Sequence, residues 1–270
     1  MANRLKTLFS QKRSSVIGMV HVLPLPGTPL YVGNTQQIID KACYETEIYV
    51  KNNIDSILVE NMHDVPYVQP KNFQPETVAM MSRICTEIKK IAVNMPLGVQ
   101  VLAGGNKEAL AVAQASDFDY IRAEGFVFSH VADEGFTDAN AGTLLRFRKQ
   151  IGAESIQIFT DIKKKHSSHA VTSDVSLEET ARAAEFFLSD GIILTGTATG
   201  AAASVEELKR LKQNVKLPVI IGSGITKSNY KSYLDADAFI IGSHFKIGGI
   251  WNNDLCEKTI NEFMSSIKQE

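Results

Sequence analysis

The stretch PVIIGSGITKSNYKSYLDADAFIIGSHF (218–245) holds two short aliphatic runs, PVIIG and AFIIG, each closed by a glycine-serine pair. Near-continuous apolar runs of this length suit parallel strands covered on both faces, not strands with one wet face. The segment between the runs reads as one helix, the crossover that parallel strands require.

Working outward, the same unit recurs. Towards the N-terminus lie GIILT (191–195), IQIFTD (156–161), YIRAE (120–124), LGVQVL (97–102), SILVEN (56–61) and VIGMVHV (16–22). Helical patterns separate them. Residues 35–52 carry Ile38, Ile39, Ala42 and Ile48 on one face, and 75–92 open on Pro75-Glu76 and carry Val78, Met81, Ile84 and Ile88. Ser176 with Glu179, and Ser204 with Glu207, match capping boxes. An amphipathic pattern over 254–267 closes the chain.

Eight such alternations leave a closed barrel or an open doubly wound sheet. The count of eight, and the lack of G-x-G-x-x-G after the first strand, predict an α/β fold with a single (β/α)8 TIM barrel. The 270 residues are close to the roughly 250 usual for that fold. No low-complexity linker or composition break interrupts them. The expected organisation is a basic N-terminal extension over 1–15 and a barrel domain over 16–270.

Composition narrows the partners. With 44% hydrophobic residues and a formal net charge of −2, the chain has core material and no basic field, so nucleic acid is not expected. Cys43, Cys85 and Cys256 are scattered without C-x-x-C spacing, which suits structural thiols in a reducing compartment. No apolar run reaches the ~18 residues of a membrane span. MANRLKTLFSQKRSS (1–15) has four basic and no acidic residues but no apolar h-region. Secretion is therefore not expected; the setting is cytoplasmic or an organelle interior, with a mitochondrial or other transit segment open beside a plain frayed terminus.

In a TIM barrel the chemistry sits at the C-terminal strand ends. There the sequence places Gly222, Ser223 and Gly224 after strand seven, and Gly242 and Ser243 after strand eight. Glycine lets backbone N–H groups approach an anion, and the serines add hydroxyl donors, so these ends are expected to bind a phosphorylated small molecule. Tight turns alone would also use these glycines. Thr195, Gly196 and Asn61 are further ligand-contact candidates.

The expected catalytic set is Glu124 and Asp161, as an acid–base or metal-ligand pair, with Arg122 and Lys165 stabilising negative charge, a lid at 163–169 bringing Lys165 and His166 over an anionic substrate, and Glu60 and His21 orienting it. Each has a structural alternative: an ion network in the upper barrel, a satisfied core histidine, or a solvated basic loop at KKKHSSH (163–169). No cofactor is identified. No metal signature has diagnostic spacing, and a divalent metal stays open.

Long strings carry a resemblance. They are GMVHVLPLPGTP (18–29), VENMHDVPY (59–67), GVQVLAGG (98–105), DYIRAEGFV (119–127), ADEGFTDANAGTLLRFRKQIGA (132–153), TDIKKKHSSHA (160–170), GSGIT (222–226) and DAFIIGSHFKIGG (237–249). In order and over about 16–268, the chain resembles the BtpA family. That resemblance implies a ribulose-phosphate-binding type of barrel and an association with photosystem I biogenesis, alongside members regarded as enzymes. Two readings follow. One is an enzyme acting on a phosphorylated sugar or nucleoside-like compound by isomerase, lyase or glycosyl-transfer chemistry; the other is a non-enzymatic assembly or stability factor. A homo-oligomer is open under both.

Overall fold

A computed structural model describes residues 13–196 and 200–269. Eight parallel strands close a barrel in chain order. They are β1 (Ser15–His21), β2 (Ser56–Glu60), β3 (Leu97–Gln100), β4 (Tyr120–Ala123), β5 (Gln157–Ile162), β6 (Gly191–Leu194), β7 (Val219–Ile221) and β8 (Ala238–Ile241). The β1–β8 pairing, Ser15 to Ala238 through Gly18 to Ile241, completes the circle.

The outer ring is α1 (Thr35–Lys51), α2 (Pro75–Ile91), α3 (Asn106–Ala115), α4 (Ala141–Gln150), α5 (Leu177–Phe186), α6 (Val205–Asn214) and α7 (Glu257–Ile267). Ser176 and Ser204 cap α5 and α6 by accepting the N–H groups of Glu179 and Glu207. Between β7 and β8 stands only a 3-10 turn, Tyr230–Tyr233. The last helix begins three residues after Asp254, with Cys256 at its N-cap.

Two apolar layers hold the barrel. Ile17, Met19, Leu58, Tyr120, Phe159, Ile193, Ile220, Ala238 and Ile240 fill its lower interior, while the other strand faces pack against the helices. Gly98 makes room for this filling, since a Cβ there would lie 2.1 Å from the Tyr120 ring. The Tyr120 hydroxyl reaches Ser56 Oγ at 2.9 Å, so the buried phenol is satisfied. The interior below the strand ends is thus a solid floor.

Residues 1–12 of the expected extension lie outside the described residues, and Ser15 already belongs to β1. Arg13 bonds both carboxylate oxygens of Asp55 at 2.8 and 2.9 Å, and Ser14 Oγ donates to Ala236 O. These contacts fix the entry to the barrel.

The basic run 163–169 is tied into a small sheet and is not a plain solvated loop. Ser167–Ser168 pairs with His130–Ala132, which pairs in turn with Gly135–Thr137, forming a three-stranded antiparallel sheet. This sheet connects the β4 and β5 loops over one side of the barrel mouth. Its hairpin turn carries Asp133 and Glu134.

Candidate functional site

Inward-facing residues change character at the upper strand ends. His21 pairs in register with Glu60, and Glu60 with Gln100; Arg122 follows on β4, one residue past the Val99–Ile121 pair. All four side chains are buried and line a cavity of about 400 Å³ at the C-terminal barrel face. Apolar Met19 and Ile240 contribute the floor, and the glycine-serine strand ends form the opposite wall.

That wall is backbone. Gly222 N–H is used by Leu194 O, whereas the N–H groups of Ser223, Gly224, Gly242 and Ser243 find no acceptor among the described residues. All line the cavity. Buried or half-buried N–H groups without partners cost free energy that an anion would recover. Gly224 is obligatory on two counts: its φ is +73°, and a Cβ would fall 2.3 Å from Ala202 Cα. At Gly222 a Cβ would lie 3.5 Å from Arg122 Nη2, so the loop reaches the guanidinium directly.

Ser223 has a different task from a free hydroxyl donor. Its Oγ accepts Gly196 N–H at 2.8 Å and donates to Ala201 O at 2.9 Å, tying the β6 and β7 loops together. Ser243 makes no side-chain hydrogen bond among the described residues and remains free to turn to a ligand. Thr195 and Gly196 lie outside the cavity lining. Residues 197–199 of the neighbouring GTATG segment lie outside the described residues. Asn61 is engaged with Leu102 N–H and O and with Asp64 Oδ2; it supports the β2 and β3 loops and does not touch the cavity. Asp64 accepts Leu25 N–H at 2.8 Å, an anchor for the stiff loop after β1.

The carboxylates expected to act together are separated by cations. Asp161 receives Arg122 Nε and Nη2 at 2.8 and 2.9 Å and sits behind the guanidinium, off the cavity wall. Glu124 takes Lys164 Nζ at 3.2 Å and Gly104 N–H at 3.0 Å. Burial alone would raise the Glu124 pKa, but Lys164 and Arg122, with these hydrogen bonds, bring it below its ordinary value. Glu134 of the hairpin approaches Lys164 at 3.6 Å. Both partners hold Lys164 above the usual lysine range against its burial. No group of three or more His, Cys, Asp or Glu is placed to hold a metal among the described residues.

Glu60 and Lys165 behave differently. Burial lifts Glu60 above the usual carboxylate range, with Arg122 and Lys165 opposing the shift. Lys165 makes no salt bridge among the described residues; burial, then Arg122, push its pKa down. Both line the cavity, as does the exposed His166.

His21 is neutral, its pKa lowered to about 3 by burial and then by Lys246. Its Nδ1 lies 3.2 Å from Trp251 O, which assigns the ring proton there and leaves Nε2 towards Glu60 at 3.9 Å. The Trp251 loop is pinned from below by a fully buried Lys246–Glu45 pair at 2.8 Å.

Gln100, Lys164, Glu134 and Trp251 are site residues that the sequence reading passed over. Gln100 and Lys164 left a trace: one is the lone polar residue in LGVQVL, the other lies inside the basic run. Glu134 and Trp251 arrive through loop geometry, which carries no local signal.

Comparison with known proteins agrees with this architecture. A mitochondrial protein of Caenorhabditis elegans is 50% identical over 96% of this chain and 95% of its own length. The photosystem I biogenesis protein BtpA of Synechocystis is 30% identical over 96% and 90% respectively. Among solved structures, (S)-3-O-geranylgeranylglyceryl phosphate synthase from Thermoplasma acidophilum, with sn-glycerol-1-phosphate, gives a TM-score of 0.61 at 15% identity, covering 99% of this chain and 97% of that one. Orotidine 5'-monophosphate decarboxylase from Methanocaldococcus jannaschii gives 0.60 at 17%, covering 94% and 99%. At such identities the likeness is one of fold. No helix among the described residues is long and apolar enough to cross a membrane. The BtpA family model matches residues 12–269, and the chain belongs to the BtpA family.

Proposed function

We propose that this protein is an enzyme acting on a phosphorylated sugar or nucleoside-like small molecule, by acid–base chemistry at the C-terminal face of the barrel. One observation carries the reading. Four backbone N–H groups without an acceptor among the described residues belong to Ser223, Gly224, Gly242 and Ser243, which line the same cavity as Glu60, Arg122 and Lys165. The N–H groups suit a phosphate, and Arg122 stands beside them, held in orientation by Asp161.

Glu60 and Lys165 are the proton-transfer groups of this reading. A raised carboxyl and a lowered amine bring two pKa values towards the working range, the condition under which each can exchange a proton with substrate. Proton transfer next to a carbonyl, as in isomerase or lyase chemistry, fits this set better than a metal-ligand role for Glu124 and Asp161, each occupied by its own cation. The sn-glycerol-1-phosphate and orotidine 5'-monophosphate in the names of the two barrel neighbours belong to those proteins and supply the class of compound to try first.

The test is turnover of a phosphosugar panel by the wild type, Glu60→Gln and Lys165→Met. Both variants should lose more than about 100-fold in rate while keeping the thermal shift produced by inorganic phosphate. Unchanged turnover in both would remove the assignment.

The assembly-factor reading has one support, the name of the Synechocystis relative. It predicts a stable protein complex indifferent to Glu60→Gln and Lys165→Met. A complex lost with those variants would count against it. On the name of the nematode relative, the basic stretch 1–15 serves as a short mitochondrial address; removing residues 2–12 would then leave the protein in the cytosol.

A further inference from the structure

Two buried polar side chains of the cavity lining make no hydrogen bond to the described residues. Gln100 is 2% exposed, and its Oε1 is fully buried without a hydrogen bond. Glu60, 6% exposed, makes no hydrogen bond among the described residues; His21 Nε2 lies 3.9 Å from its Oε2. They are register partners on adjacent strands, so their backbones run about 4.8 Å apart. Both residues line the one cavity.

Such a pair is costly in an empty protein. An unsatisfied buried amide costs roughly 1–3 kcal/mol, which a structural residue would recover from a neighbour. Asn61, one strand position away, shows the contrast: its carboxamide is bonded at both ends. Leucine would fill the Gln100 position at no such cost.

We infer that Gln100 and Glu60 form a subsite for two adjacent hydroxyl groups, a vicinal diol, on the same ligand whose phosphate lies at the glycine-serine loops. The inference rests on the phosphate reading above and specifies the other end of the compound.

Hydroxyls fit for a chemical reason. The carboxamide presents an acceptor and a donor, and Glu60 accepts when ionised and donates when protonated. A hydroxyl both gives and accepts, so a diol satisfies the pair in either state. A cationic donor pair such as an amidine would meet the guanidinium of Arg122 and the ammonium of Lys165 in the same cavity. Apolar groups would leave both side chains unpaired.

Calorimetric titration of the full chain and of Gln100→Leu tests the subsite, with inorganic phosphate, ribose 5-phosphate and 2-deoxyribose 5-phosphate as probes. Wild type should hold ribose 5-phosphate about tenfold more tightly than its deoxy analogue, the value of about one hydrogen bond. Gln100→Leu should bind the two sugars equally, bind inorganic phosphate as before, and melt no lower than wild type. The diol subsite is overturned if wild type shows no preference, or if the preference survives in Gln100→Leu. Phosphate binding with no sugar held better than phosphate overturns the subsite and leaves the anion site standing. A diol preference without competition by inorganic phosphate does the reverse. If none of the three probes binds, both fall.

Discussion

Arg122 donates from Nε and Nη2 to the two carboxylate oxygens of Asp161, at 2.8 and 2.9 Å, across the β4–β5 pairing. Only the arginine faces the cavity. Asp161 therefore acts as a brace that fixes a planar cation beside the anion loops, with Gly222 within reach of Nη2. Removing one partner of a buried pair leaves the other charge uncompensated. Asp161→Asn should destabilise by about 3–5 kcal/mol, while the double change Arg122→Met with Asp161→Leu should recover most of this. Urea unfolding of the three proteins measures it, and the double variant should remain without activity.

Glu60 should make the protein less stable as pH rises. Its folded pKa is raised, chiefly by burial, so the folded state holds the proton after the unfolded chain has released it. Stability is then lost between the ordinary glutamate value, about 4.3, and the raised folded value. Glu60→Gln removes the penalty. It should be more stable than wild type at neutral pH, with the difference vanishing below about pH 4; a constant difference across pH would contradict this.

His21 carries the opposite sign. Its folded pKa is about 3 against an unfolded value of about 6.5, so the unfolded chain binds more protons between these values. The neutral ring's contribution is full above about 6.5 and falls with acidification. In a His21→Gln comparison the wild type should lose ground as pH drops through this window. By NMR, the His21 ring should show no titration between about pH 5 and 8.

Gly224 and Gly33 both have positive φ, +73° and +84°, but differ in space. Nothing lies within 4 Å of a Cβ at Gly33, whereas at Gly224 a Cβ meets the Ala201–Ala202 backbone. Gly33→Ala should cost about 1–2 kcal/mol, the left-handed backbone alone. Gly224→Ala should cost clearly more, and should also weaken phosphate binding by displacing the loop. Equal melting points for the two variants would mean that the β6 loop yields easily.

The barrel was legible because each strand is a short aliphatic run between helical patterns, and the runs of 218–245 show the unit twice. Strand ends shifted by a residue or two, as at β3, where LGVQVL pairs only to Gln100. The polar upper layer was also readable, since His21, Glu60 and Arg122 interrupt apolar strands. Partner choice was not. Glu124 and Asp161 looked like a pair from their adjacent strands, yet each is taken by a different cation, Lys164 and Arg122. Lys164 arrives because Ser167–Ser168 joins the 130–137 hairpin, a long-range pairing between two loops without periodicity. Gln100 was passed over because a single amide in an apolar strand is indistinguishable in sequence from a satisfied one; only the missing hydrogen bond at its buried Oε1 marks it.

The anion site is tested most directly at Ser243, which lines the cavity and whose side chain and N–H make no hydrogen bond among the described residues. Thermal unfolding would be followed with increasing inorganic phosphate for wild type and Ser243→Asp, against chloride at equal ionic strength. Wild type should rise by RT ln(1 + [L]/Kd), about 2.7 kcal/mol at a hundredfold excess over Kd, and Ser243→Asp, with a carboxylate in the same place, should show none of it. No phosphate-specific rise in wild type, or an equal rise in the aspartate variant, would contradict a phosphate site at the glycine-serine strand ends.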